Sequence, residues 1–178
     1  MKELITMHIA ITIWAVVASW KFWNWERFYR YHTTMLYIAT MNLLYLFFTA
    51  GYHLWKMESD IGLPVPIINM LYTFIVFPCT TILFLSRYPE YLKGQIYHNL
   101  KWIFIYIGAE WVGSLFNLIT YEHGWNLGWS LLFVIMMFLM FRLHYKRPLF
   151  AYLLTFVFTV LIIYYFKIPW NIPVEDRL

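Results

Sequence analysis

Glu110 is the residue whose type and position most clearly could do chemistry, because it is the one acid inside a long apolar run. Counted from Tyr97, it lies about 20 Å along a helix of about 34 Å, slightly beyond the midpoint. An ionised side chain at such a depth costs at least ~2.5–3.5 kcal/mol, so it should face protein or water rather than lipid. Tyr106, Glu110, Gly113, Ser114, Asn117 and Tyr121 recur at steps of three and four, which sets them on one helix face. The stripe climbs toward a link carrying Glu122 and His123. A second stripe, Asn42, Tyr45, Thr49 and His53, climbs the same way, and shorter ones are His8 with Thr12, Asn69 with Tyr72 and Thr73, and Asn126 with Ser130. Together they are consistent with a polar cavity that opens at one face, with Glu110 near its floor and Trp111 and Trp129 as cation–π walls. The residues expected to line it are Glu110, Trp111, Asn42, Tyr45, Ser114, Asn117, Trp129, Glu122 and His123. The plain alternative is interhelical hydrogen bonding, with Gly113 and Ser114 allowing close packing; such pairs average only about 0.6 kcal/mol and are common in bundles.

Other chemistry is poorly served. His8, His53 and His123, with Glu122, should gather near one face, and imidazole with carboxylate suits zinc. They come from different segments without a ligand spacing such as H-x-x-x-H, so no metal site is expected. Cys79 is the single cysteine and excludes an internal disulfide. P-loop, G-x-S-x-G, dinucleotide-binding and H-E-x-x-H patterns are missing, and no cofactor is expected. Trp23-Asn24-Trp25-Glu26-Arg27, continuing to Tyr31, reads as an amphipathic stretch at a membrane interface. Arg142 and His144 read as end residues that snorkel, and Pro78 should kink its helix.

The elements that position these groups are set by composition. Of 178 residues 62% are hydrophobic and only 12% charged, whereas a soluble domain is about a quarter charged. An ordinary soluble globule and a disordered chain are both excluded by that balance. The net charge of +4 is scattered rather than gathered into a basic patch, so nucleic acid is not an expected partner. The lipid bilayer is. Six apolar runs, approximately Leu4–Phe22, Thr33–Leu54, Ile61–Ser86, Tyr97–Ile119, Asn126–Tyr145 and Leu149–Phe166, are each long enough to cross a ~30 Å hydrocarbon core as a helix. The expected fold is all-α: one transmembrane domain over residues 1–178, six spans with short loops.

Charge sets the expected orientation. Lys21, Arg27 and Arg30, then Arg87, Lys93 and Lys101, then Arg142, Lys146 and Arg147 fall on alternate links, nine in all against four on the other side. The positive-inside rule therefore predicts both termini outside.

At the tryptophan-rich end of the first span (Trp20, Trp23, Trp25, Glu26), at Phe77-Pro78-x-Thr80, at Glu110, at Tyr121-x-His123-Gly124-Trp125-Asn126, and at Trp129-Ser130 with Arg142-Leu143-His144-Tyr145, the sequence resembles a family of small six-span membrane proteins of spore-forming Firmicutes. The resemblance runs nearly the whole length. It implies a bacterial plasma-membrane location and lends no activity. The residues themselves favour a non-enzymatic protein that binds a small cationic or amphipathic ligand, or an ion, in an outward-facing cavity around Glu110. One competing expectation is a membrane isomerase or cyclase, similar to the emopamil-binding type, in which Glu110, Glu122 and His123 move protons beside Trp111. The other is a structural subunit, working as a homo-oligomer or with a membrane protein partner.

Overall fold

The computed structural model describes residues 7–22, 28–59 and 62–177. Within them the chain is helical: α1 (Met7–Phe22), α2 (Phe28–Phe48), α3 (Val65–Ser86), α4 (Leu92–Leu115), α5 (Leu127–Lys146) and α6 (Pro148–Tyr165). Three of these, α3, α5 and α6, are long and apolar enough to cross a membrane, while Met7–Lys21 is apolar but shorter. Lys2, Glu3, the start of the first apolar run at Leu4, the Trp23–Arg27 segment, Asp60 and Ile61 lie outside the described residues. Tyr29, Arg30 and Tyr31, expected in an interfacial stretch, lie in the first turn of α2.

Local chemistry explains the boundaries. Pro64 and Pro66 open α3, and Pro148 opens α6, at positions where a missing N–H costs nothing. The Asn126 side chain caps α5 by accepting from the Gly128 and Trp129 amides at 2.9 and 3.2 Å. Inside α3 the expected disturbance at Pro78 takes the form of a π turn over Tyr72–Val76, closed by the Phe77 amide on the Tyr72 carbonyl. The wider turn relieves the clash between a proline ring and the carbonyl four residues back.

α3 packs between α1 and α2, and α5 is flanked by α4, α6 and α2. One end of the bundle is aromatic: Phe84, Phe138, Phe141 and Trp102 are buried together, with Phe84 and Phe138 centroids 4.9 Å apart. At this end Thr34 meets His144 Nδ1 at 3.1 Å, the His144 ring stacks on Tyr37, and Arg30 Nε donates to the Tyr145 hydroxyl at 2.8 Å. The Tyr37 and Thr155 hydroxyls then tie α2 to α6.

The opposite end corrects the expectation of short loops. Trp55–Met57 (β1) and Ile119–Tyr121 (β2) pair antiparallel, Trp55 opposite Tyr121 and Met57 opposite Ile119. The apolar run through Leu54 therefore stops being helix at Phe48, and the run through Ile119 stops at Leu115. Leu54, Met57 and Ile119 are buried all the same, by ribbon packing. Glu122 to Trp125 closes a turn, with the Trp125 amide on the Glu122 carbonyl and both His123 and Gly124 at positive φ. That conformation is easy for glycine and costs histidine more. The segment after α6 folds back over this ribbon end. Arg177 is buried and donates to the carbonyls of Ile172, Phe48 and Ala50 at 2.8, 3.0 and 3.1 Å. Gly51, at φ 73°, admits this contact, since a Cβ there would stand 3.0 Å from the Val174 carbonyl.

Candidate functional site

Glu110 lies in the last turns of α4, and the chain beyond α4 brings a partner back to it. The helix ends by a reversal: the Asn117 amide bonds the Ser114 carbonyl at 3.2 Å and the Leu118 amide reaches back to Gly113 at 2.9 Å. Asn117 sits at φ 55°, a left-handed cap that asparagine tolerates better than most residues. β2 then folds down against α4, and Gly113 lets it approach, because a Cβ there would be 3.0 Å from Ile119 Cδ1. The result is a hydrogen bond from the Tyr121 hydroxyl to Glu110 Oε1 at 2.9 Å. Burial, and then the Glu110 charge, hold the Tyr121 phenol above its ordinary pKa, so it serves as a donor.

Two further groups lie near the carboxyl. The buried Ser130, from α5, accepts from Trp125 Nε1 at 2.8 Å. The Trp55 Nε1 is buried without a hydrogen-bond partner. Tyr121 is thus the donor that closes on the acid. Among the described residues no ion pair joins Glu110 to a basic side chain. Tyr45 holds the ribbon above: its hydroxyl accepts from the Trp55 amide at 3.2 Å and donates to the Trp55 carbonyl at 3.1 Å.

The other expected lining residues scatter. Asn42 donates to the Thr73 hydroxyl at 2.7 Å, which in turn donates to the Asn69 carbonyl, so this polar set joins α2 to α3. The Ser114 hydroxyl bonds the Trp111 carbonyl within its own helix, and Trp111 is 53% exposed on the outer surface of the bundle. Asn117 is exposed at the end of α4. Trp129 packs on Tyr165 and Phe166 with centroids 4.8 and 5.2 Å away. Glu122 and His123 stand on the exposed turn, 3.9 Å apart, with the imidazole stacked on Tyr52. The buried His8 ring bridges the Tyr72 hydroxyl and the Glu58 carbonyl, each at 3.1 Å. Among the described residues no group of three or more His, Cys, Asp or Glu side chains could hold a metal ion.

Of the groups around Glu110, Trp55 and Trp125 are ones that spacing does not reveal, since each reaches the site from a link and not from a helix face. The Trp125-x-x-x-x-Ser130 bond is their one local signal: the indole donates to a hydroxyl just inside the next helix. No family model matches this chain, and no curated protein or solved structure resembles it.

Proposed function

We propose that this chain is a six-span protein of the bacterial plasma membrane, termini outside, which holds a small cation or the cationic head of an amphipathic molecule at Glu110 beneath the β1–β2 ribbon. Support for six crossings comes from the nine-to-four distribution of basic residues and from apolar side chains exposed on every helix, among them Ile13, Leu36, Phe74, Phe104, Leu132 and Leu153. Apolar surface of that extent suits a lipid surrounding better than water.

The observation that carries the binding assignment is the company Glu110 keeps. A carboxylate only accepts hydrogen bonds, and here the Tyr121 hydroxyl donates to it with no lysine or arginine paired to it among the described residues. A donor of this kind holds a negative charge in place and leaves it for a cation to neutralise. Tyr121 belongs to the ribbon, so lifting the ribbon exposes the acid. The enzyme alternative is less favoured, because Glu122 and His123 engage each other and Tyr52 rather than this carboxyl.

The test is titration of the full chain in micelles with tetramethylammonium and tetraphenylphosphonium, followed by calorimetry. Saturable binding to the wild type, lost in Glu110→Gln while thermal unfolding stays cooperative, is the expected result. No saturable binding of either cation to the folded wild type overturns the assignment and leaves Glu110 as a packing group.

A further inference from the structure

A groove of about 980 Å³ runs along the seam between α5 and α6. Its walls are apolar, with Leu132, Leu139, Leu154 and Leu161 among them, and α6 leaves most of its surface uncovered. The two mouths differ in chemistry. At the end carrying Trp125, Trp129 and Tyr165 the lining is aromatic, whereas at the other end it holds Arg142, Lys146 and Arg147. No acidic side chain is among the described residues of the lining. The Arg142 guanidinium lies over the Tyr88 ring at 4.5 Å and near Tyr145 at 5.9 Å. Stacking on a ring face leaves the guanidinium edge free for a planar or tetrahedral oxyanion.

The geometry points to an anionic glycerophospholipid as the occupant, its phosphate at Arg142, Lys146 and Arg147 and an acyl chain laid along the α5–α6 seam. Length agrees with this choice. From Lys146 to Trp129 the groove follows α5 for about 25 Å at 1.5 Å per residue, and the half-thickness of a bilayer core is about 15 Å. A chain descending from the basic mouth is therefore lined throughout, past Leu139 and Leu154, and ends before the tryptophans. A headgroup without net charge would leave three cations at one mouth without a counter-charge. Fixed phosphate charge relieves that repulsion, and basic side chains at a lipid surface each favour an anionic lipid by about five-fold. The basic mouth lies at the end of the bundle opposite the ribbon, so this site is separate from Glu110 and does not depend on the reading given to that acid.

Native mass spectrometry of the detergent-purified chain tests the assignment, using dioleoyl phosphatidylglycerol against dioleoyl phosphatidylcholine, which share their tails. The anionic lipid should be retained about a hundred-fold better. Lys146 and Arg147 are exposed, so Lys146→Gln with Arg147→Gln should fold normally and cut the preference to about five-fold. Leu139→Trp, which fills the groove below the mouth, should lower retention of both lipids. Equal retention of the two lipids by the wild type overturns the proposal. So does an undiminished preference in the double glutamine variant, and so does full phosphatidylglycerol retention by Leu139→Trp, which would place the lipid elsewhere.

Discussion

Removing the Tyr121 hydroxyl and the Glu110 carboxyl, singly and together, measures the state of the acid. The bond between them is 2.9 Å, made across eleven residues between a strand and a helix, and neither partner is fully exposed. A hydrogen bond to a charged group contributes about 1.5–3 kcal/mol, whereas polar pairs between membrane helices average about 0.6 kcal/mol. The coupling energy therefore distinguishes a carboxylate held by a donor from a neutral packing group. Tyr121→Phe, Glu110→Leu and the double variant would be unfolded in mixed micelles, with stability read from a denaturant titration. We expect a coupling of about 1.5–3 kcal/mol. Repeating the cycle with Glu110→Gln in place of glutamate as the starting residue should bring it down to about 0.6 kcal/mol, because the amide is uncharged. A first coupling already at or below about 0.6 kcal/mol would refute the reasoning that this donor holds a charge, and the cation site with it.

Arg177→Gln removes a guanidinium that bonds the Phe48 and Ala50 carbonyls just where α2 ends. Loss of a charge-assisted bond and of a cation at a helix C-terminus should together cost about 2–4 kcal/mol; a fall in Tm accompanied by faster tryptic cleavage after Lys167 is the check, and an unchanged Tm would argue against the cap. His53 lies in the link before β1 with its pKa pushed below the ordinary histidine value, first by burial, then by Lys56, with Glu122 and Glu58 opposing and His123 adding slightly to the depression. A depressed folded pKa means that the unfolded chain binds the proton more readily, so stability is lost as pH falls below about 6.5. Wild type and His53→Gln should therefore behave alike above pH ~7.5 and diverge below ~6.5, with the wild type losing more, in thermal scans. For topology, single cysteines at positions 58 and 123 in a Cys79→Ser background should react with an impermeant maleimide in whole cells, and those at 93 and 146 should not; the reverse pattern would invert the proposed orientation.

How much of this is legible in the sequence depends on which physical signal each element leaves. Helix faces leave a period, so the stripe holding Glu110, Gly113 and Ser114, and that holding Asn42 and Tyr45, can be read from spacing. Partners leave none: spacing says that Asn42 faces a neighbour, not that the neighbour is Thr73 rather than Glu110. Helix ends are misplaced where hydrophobicity is the only guide. Leu54 and Ile119 are buried like core residues, yet they are buried in and beside a ribbon, and an apolar run cannot distinguish that from the last turn of a span. Better signals are present. Asn117, two residues past the end of α4, and the His123-Gly124 pair are turn formers, and together they bracket the β2 strand between Leu115 and Trp125.

The groups around the acid escape the pattern of spacing for a related reason. A helix can offer Glu110 only the residues at three and four steps along its own face, and those are Tyr106, Ile107, Gly113 and Ser114. Tyr121 would share that face only if the helix ran on through Ile119; the true helix stops earlier, and Tyr121 reaches the carboxyl by reversing direction instead. Spacing puts the tyrosine on the face of the acid but about 16 Å further along a continuous helix, whereas the reversal brings its hydroxyl to the carboxyl, and the difference matters for mechanism. A tyrosine on the same helix would be fixed relative to Glu110, whereas one on a two-stranded ribbon can leave it. Three residue pairs make up that ribbon, and Tyr45 ties the Trp55 backbone to α2 through its hydroxyl. Short two-stranded ribbons are marginal on their own, and this one is held by the buried Leu54, Met57 and Ile119, so opening the acid at the ribbon end means giving up that packing as well as the Tyr121 bond.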